Sequence, residues 1–320
     1  MRRILVTGAG GFIGGHVCAQ LAATSAIRAA SRRSFSCVSP PDGIEHCSID
    51  ITGAATDWDA AVAGVDAVVH LAARAHILGA NAARNLEAFR AVNVEGTRSL
   101  ALASLRAGVR RLVMVSTVKA MGGETMENQC YSEDSPCQPN DAYGVSKWEA
   151  EQVLREAAAG QQMEVVILRA PLVYGPGVGA NFLRLLRALD RGVPMPFGSV
   201  NNKRSLLFVG NLVSAITHCL DSPAAGGEVF LVADEDALST RELILQLSEL
   251  LGRSLRLVPI PIPVLRFGGR MLRRSDDVRR LTGSLLVSTA KIQQRLDWHP
   301  PFAVSAGLCS TVAWYQSAKR

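Results

Sequence analysis

Tyr143 and Lys147 stand four residues apart in DAYGVSK, one turn along a helix and so on one face of it. Upstream, VMVST carries Ser116 and Thr117 at the end of a β-branched run, the carboxyl end of a strand. A phenol, an ammonium and a hydroxyl that converge suit one chemistry, proton exchange at a carbinol whose carbon gives or takes a hydride. Tyr143 would exchange the hydroxyl proton and Lys147 would make that proton easier to lose. Thr117, with Ser116 beside it, would hold the oxygen as charge develops. Free tyrosine titrates near ~10 and must fall by about 2–3 to act as a base at neutral pH, worth roughly 3–4 kcal/mol. An ammonium about 5 Å away at an effective dielectric of about 20 supplies about 3 kcal/mol. Y-x-x-x-K alone is common, so the pair gains meaning only beside a carrier for the hydride.

The first residues point to such a carrier. RRILVTG reads as a buried strand, and TGAGGFIG places Gly8, Gly11 and Gly14 directly after it, at the start of a helix. The three glycines allow a tight turn, close approach of backbone to pyrophosphate, and close helix–strand packing. The helix N-terminus adds free N–H groups and positive dipole. This is the dinucleotide cradle in its proper strand–turn–helix context. The next strand, AIRAA, ends near Ser31, where an acid would bind the ribose 2′-hydroxyl of NAD. Arg32 and Arg33 follow instead. Guanidinium groups suit a 2′-phosphate, so the expected cofactor is NADP(H), with NAD(H) as the alternative. Asp50 and Ile51, at the end of the following strand, could frame the adenine.

These residues need a scaffold, and the remaining chain supplies one. Further buried strands are expected at GIEHCSID, DAVVHLAA, RLVMVST and EVVILRA. They alternate with helices such as NVEGTRSLALASLRAG and YGVSKWEAEQVLREAAAG. That alternation predicts an α/β fold, a doubly wound parallel (Rossmann) sheet with a smaller C-terminal substrate-binding lobe. The expected boundaries are 1–172 for the NADP-binding domain, with 205–233 returning to it, and 173–320 mostly for the lobe. Prolines and glycines crowd 171–198, where the texture changes.

Composition agrees with an ordinary soluble globule. Of 320 residues, 48% are hydrophobic and 19% charged, too apolar for disorder. A net charge of +6 suits an anionic small partner and is too small to argue for nucleic acid. Seven scattered cysteines without a C-x-x-C pair argue for reduced thiols and a cytoplasmic location. The six histidines lack metal-ligand spacing, so no metal is expected. The apolar start is too short for a signal peptide, and no apolar run reaches membrane-spanning length.

Taken together, TGAGGFIG, HLAA at 70–73, NVEGT at 93–97, ST at 116–117, YGVSK and LVYGPG resemble the extended short-chain dehydrogenase/reductase family, in its nucleotide-sugar branch. The resemblance spans nearly the whole chain. It implies a Ser/Thr–Tyr–Lys triad at Thr117, Tyr143 and Lys147. It also implies cofactor contacts at Gly8, Gly11, Phe12, Ile13, Gly14, Leu71, Ala72, Ala73 and Lys147, with Asn93 near the site. In the lobe, Asn181 and Arg204 match positions that meet the sugar diphosphate, and Arg279 is a further candidate. Lys119 is a candidate substrate contact.

Three chemistries compete within that resemblance. Family members that dehydrate at positions 4 and 6 carry Asp–Glu after the threonine, where this chain has Val118 and Lys119. Sugar 4-epimerases keep NAD and return the hydride. Reductases of UDP-4-keto-6-deoxy-N-acetylhexosamines, used in O-antigen assembly, consume NADPH. Arg32 and Arg33 favour reduction of the 4-keto group, with UDP-glucose or UDP-N-acetylglucosamine 4-epimerisation as the alternative. A non-catalytic NADP-binding sensor and a steroid or flavonoid carbonyl reductase are lesser rivals. A homodimer through helices beside the triad would fit the family. Six arginines between 266 and 280 can form a solvated face, and VPIPIPVLRFGGRMLRR also mixes apolar and basic residues in the manner of a peripheral membrane contact.

Overall fold

The computed structural model describes residues 1–32, 44–51, 53–75, 82–126, 129–272 and 274–319. The elements run β1 (Arg3–Thr7), α1 (Phe12–Leu21), β2 (Ala26–Ser31), β3 (Ile44–Ser48), α2 (Asp59–Val62), β4 (Ala67–His70), α3 (Ala82–Arg90) and α4 (Gly96–Arg106). They continue with β5 (Arg111–Thr117), α5 (Ala142–Ala158), β6 (Glu164–Ala170), β7 (Leu172–Tyr174), α6 (Ala180–Asp190), β8 (Leu206–Phe208), α7 (Val209–Asp221) and β9 (Val229–Leu231). Last come α8 (Thr240–Leu250), α9 (Ile262–Met271), α10 (Ser275–Thr282), α11 (Ala290–Leu296) and α12 (Val304–Ser317).

Seven strands form one sheet in the order β3-β2-β1-β4-β5-β6-β9, and every pairing is parallel. The order reverses between β1 and β4, which opens a crevice at their carboxyl ends. Both sheet faces are covered, so the strands read as aliphatic runs rather than alternations. Ile4, Val6, Val69, Val113, Val166 and Leu168 face α1 and α7, packing on Val17, Leu21, Leu212 and Ile216. Leu5, Val68, Leu112, Met114 and Ile167 point the other way, onto Leu100 of α4 and Ala150 and Leu154 of α5. Neighbouring residues of one strand thus serve opposite layers, as the pleat requires. A third cluster joins Tyr174, Phe182, Leu186, Phe208, Leu247 and Leu308, tying β7 and β8 to α6, α8 and α12.

Some bounds differ from the sequence expectation, for local reasons. DAVVHLAA ends its strand at His70, because the N–H groups of Leu71 and Ala72 turn onto Thr7 Oγ1, each at 3.2 Å. NVEGT does not begin an ordinary helix. A π-helical turn spans Ala91–Glu95 between α3 and α4, a local widening that carries Asn93. LLF, at β8, pairs with β7 outside the main sheet.

Candidate active site

The crevice floor is the turn after β1. Gly8 has φ +69°, open to glycine and strained for other residues, and a side chain there would sit 2.8 Å from the Ala72 nitrogen. A Cβ on Gly14 would lie 2.3 Å from the Gly8 carbonyl, and one on Gly11 3.1 Å from it. Gly11 begins α1, and no side chain caps that end. The first turn, including Phe12 and Ile13, therefore offers backbone donors to an anion. These features fit a dinucleotide pyrophosphate. Leu71 and Ala72, held by Thr7, lie against this turn, and Ala73 follows them in the chain.

Thr7 belongs to a buried chain of hydrogen bonds. Thr97 Oγ1 donates to the Asn93 carbonyl at 2.6 Å, so it accepts from His70 Nε2 at 2.9 Å. His70 Nδ1, left as acceptor, accepts a hydrogen bond from the Thr7 hydroxyl at 2.8 Å. His70 is therefore neutral, and burial, aided by Lys147, pushes its pKa down to about 3. Asn93 clips the loop after β4 to α5. Its Nδ2 donates to Ser146 Oγ (2.9 Å) and the Arg74 carbonyl (3.1 Å), and its Oδ1 accepts from Arg74 N (2.8 Å).

Thr117 ends β5, and its Oγ1 accepts from Lys119 N at 3.3 Å. Asp141 caps α5 by accepting from Gly144 N at 2.7 Å, which starts the helix just before Tyr143. Lys147, one turn on, is buried, and its Nζ donates to the Val115 carbonyl at 3.0 Å. Burial lowers the Lys147 pKa to about 8, against the pull of Glu151. The half-buried Tyr143 moves the other way: burial, then Asp141, push its phenol up to about 12. Lowering the phenol toward neutrality must therefore draw on positive charge beyond Lys147, such as the nicotinamide ring of an oxidised cofactor. The Lys147 ammonium is held on a backbone carbonyl.

Ser116, adjacent to Thr117, faces the other side of β5, and its hydroxyl donates to Glu151. Glu151 also holds Arg169 through contacts of 2.7–3.2 Å, and both residues are buried. Ser116 is thus engaged in a core network, and Thr117 is the hydroxyl left to the crevice. Lys119 is paired with Asp141 at 2.5 Å and lies 5.8 Å from the Tyr143 ring. Sequence reading missed Asp141, Glu151 and His70. Only Asp141 had a local signal, a capping residue before a helix.

The remaining candidates lie on the rim. Arg32 is 77% exposed, with Asp50 at 3.9 Å, and Ile51 packs against Gly96. Arg33 lies outside the described residues. Asn181 is exposed in the first turn of α6, where its amide oxygen accepts from Arg184. Arg204 is half-buried and donates to the Gly283 carbonyl at 3.0 Å; burial lowers its pKa. Arg279 is exposed and pairs with Glu124 at 2.8 Å. Among the described residues, no cluster of His, Cys, Asp or Glu is arranged to hold a metal.

The model of the family described as "NAD dependent epimerase/dehydratase family" matches residues 4–233. The chain belongs to this family. UDP-glucose 4-epimerase of Vibrio cholerae is 38% identical over 99% of this chain and 96% of its own length. The N-acetyl-alpha-D-glucosaminyl-diphospho-ditrans,octacis-undecaprenol 4-epimerase of Escherichia coli O157:H7 is 30% identical over 74% of this chain and 69% of its own. A solved structure of MoeE5 in complex with UDP-glucose and NAD superposes with a TM-score of 0.80, at 25% identity, covering 99% of this chain and 100% of that one. This membership makes the chain an enzyme of the epimerase and dehydratase type, with a Rossmann-like parallel sheet.

Proposed function

We propose that the protein is a 4-epimerase of a uridine-diphosphate hexose, of the UDP-glucose or UDP-N-acetylglucosamine type. The observation that carries it is Lys147 of α5, whose Nζ reaches the Val115 carbonyl close to the carboxyl end of β5, where Thr117 ends the strand. Tyr143 lies one turn earlier on α5, and Val118 and Lys119 stand where dehydration would need a carboxylate pair. The full-length similarity to the Vibrio cholerae epimerase supports the same reading. The Gly8–Gly14 cradle would hold a nicotinamide dinucleotide, which would supply the hydride acceptor and donor. Tyr143 takes the proton of the C4 hydroxyl as that carbon is oxidised and returns it when the carbon is reduced from the other face. Thr117 donates to the same oxygen. Lys147, charged below about pH 8, stabilises the phenolate. Arg204 is the half-buried cation suited to the diphosphate.

A second reading, an NADPH-dependent reductase of a UDP-linked 4-keto-6-deoxy-N-acetylhexosamine, rests on Arg32, which follows β2, and on Arg33 next to it in the sequence, where an acid would suit NAD. Asp50 partly balances Arg32, which weakens the preference for a 2′-phosphate. Purified protein with UDP-glucose or UDP-N-acetylglucosamine should form the 4-epimer without net change in nicotinamide absorbance. Consumption of NADPH with the 4-keto sugar, and no epimer from either hexose, would transfer the assignment to the reductase. Identifying the dinucleotide that copurifies gives an independent check, with retained NAD expected.

A further inference from the structure

The α9 helix turns its apolar face outward. Val264, Phe267 and Met271 recur at helical spacing and are 56%, 66% and 70% exposed, and Leu272 just beyond is 74% exposed. Pro263 lies on the same exposed side. The opposite side meets protein, since Gly269 is buried and a Cβ there would lie 2.6 Å from Val278 of α10. Arg266 and Arg270, both exposed, fall along one flank of the apolar stripe. Soluble surfaces scatter large apolar groups singly, whereas here four gather on about three helical turns. Between 266 and 280 the chain has six arginines against Asp276 and Asp277.

The helix pair is anchored at the substrate end of the molecule. The chain just after α10 is held by Asn202 and Arg204, which donate to the Gly283 carbonyl at 2.7 and 3.0 Å, and Thr240 Oγ1 donates to the Leu281 carbonyl at 2.7 Å. Arg279 of α10 pairs with Glu124, and Arg280 lies close enough to act on the charges of both Asp141 and Arg204.

We infer that α9 is an interfacial helix that docks the rim of the active site on an anionic lipid bilayer. The apolar stripe enters the boundary between headgroups and acyl chains, while Arg266 and Arg270 meet lipid phosphates at its edge. Charge complementarity selects this occupant over a second copy of the chain. A two-fold contact through α9 would set the same arginines against each other, with no acid on the stripe to balance them.

The test is co-sedimentation of the full chain with vesicles. Mixed phosphatidylglycerol and phosphatidylethanolamine vesicles should bind it, and pure phosphatidylcholine vesicles at least about tenfold more weakly. Each arginine near an anionic surface is worth about fivefold in partitioning, so Arg266→Glu with Arg270→Glu should weaken binding by about 25-fold or more. Phe267→Asp with Met271→Asp should weaken it by roughly tenfold or more by removing apolar burial. All these side chains are exposed, so turnover of a soluble nucleotide sugar and the melting temperature should hold. Absence of binding to anionic vesicles overturns the inference, as does equal binding by wild type and both variants. A dimer in sedimentation equilibrium that Phe267→Asp dissociates would assign the face to a second copy instead. These readouts measure partitioning and mass, so they stand whichever sugar the site turns over.

Discussion

Glu151→Gln tests the buried charge network that carries the active-site helix. Glu151 is 0% and Arg169 3% exposed at the side chain, and the guanidinium spans both carboxylate oxygens while resting 5.4 Å from the Trp148 ring. Gln keeps the shape and removes the charge, which leaves Arg169 a buried cation without a counter-ion. Breaking a buried pair from one side costs about 3–5 kcal/mol. An unfolding entropy of roughly 2.1 cal/mol/K per residue gives about 0.7 kcal/mol/K for a chain of this length, hence a fall of about 5–7 °C in melting temperature. Differential scanning calorimetry measures it. Arg169→Met should cost a similar amount, because it strands Glu151. Glu151→Leu combined with Arg169→Met should recover most of the loss, since neither charge then remains buried. The same substitution bears on chemistry. Glu151 supports the charge of Lys147, whose pKa is about 8. Without it that value falls, the ammonium is lost at lower pH, and the alkaline limb of the pH–rate profile moves downward. Melting within 1 °C of the parent (on the order of 0.7 kcal/mol by the same entropy), or strictly additive effects in the double variant, would refute the reasoning.

Four further outcomes are expected. Tyr143→Phe should lower turnover by about a thousandfold or more with unchanged dinucleotide retention, read by steady-state kinetics and absorbance of the copurified cofactor. Asp141→Asn keeps the α5 cap and removes the negative charge that raises the Tyr143 phenol. With Lys119 5.8 Å from the ring and partly exposed, the acidic limb of the pH–rate profile should move down by about one unit, and Lys119→Ala should move it up. His70, near 6.5 when unfolded and about 3 when folded, binds its proton only in the unfolded chain between those values. Stability should therefore fall by about 1.4 kcal/mol per pH unit as pH drops through that window, and His70→Asn should flatten the slope in urea titrations. Gly14→Ala, with its Cβ 2.3 Å from a carbonyl, should lose both stability and bound dinucleotide, whereas Gly15→Ala, with nothing within 4 Å, should retain them.

The strand–helix alternation was legible because a parallel sheet covered on both faces writes itself as aliphatic runs, and β5 and β6 coincide with RLVMVST and EVVILRA. The cradle and the Tyr–Lys pair were legible for a related reason: their partners lie within a few residues, where spacing fixes geometry. The π-helical turn at Asn93 left no such trace. It depends on contacts that Asn93 makes with Arg74 and Ser146, nineteen and fifty-three residues away. Glu151 with Arg169, and Lys119 with Asp141, likewise join separate elements, and no periodicity announces an acid that will meet a base across a sheet.

The phenol of Tyr143 shows what such cross-element contacts decide. Spacing alone sets an ammonium one turn away and suggests a lowered pKa. The fold buries Lys147 and half-buries Tyr143, aims Lys147 at the Val115 carbonyl, and brings Asp141 near the phenol through the cap that starts α5. Each arrangement serves the helix first. The cap fixes where α5 begins, and the carbonyl contact satisfies a buried ammonium that would otherwise lack a partner. The outcome is a phenol held near 12 beside an ammonium near 8, so protonated tyrosine is the resting form at neutral pH. On the proposed function, the tyrosine would act as a base only when further positive charge enters the crevice. On that reading, such a site would couple proton abstraction to occupancy of the cradle, with the threshold set first by burial and then by Asp141, which lies outside the Thr–Tyr–Lys motif.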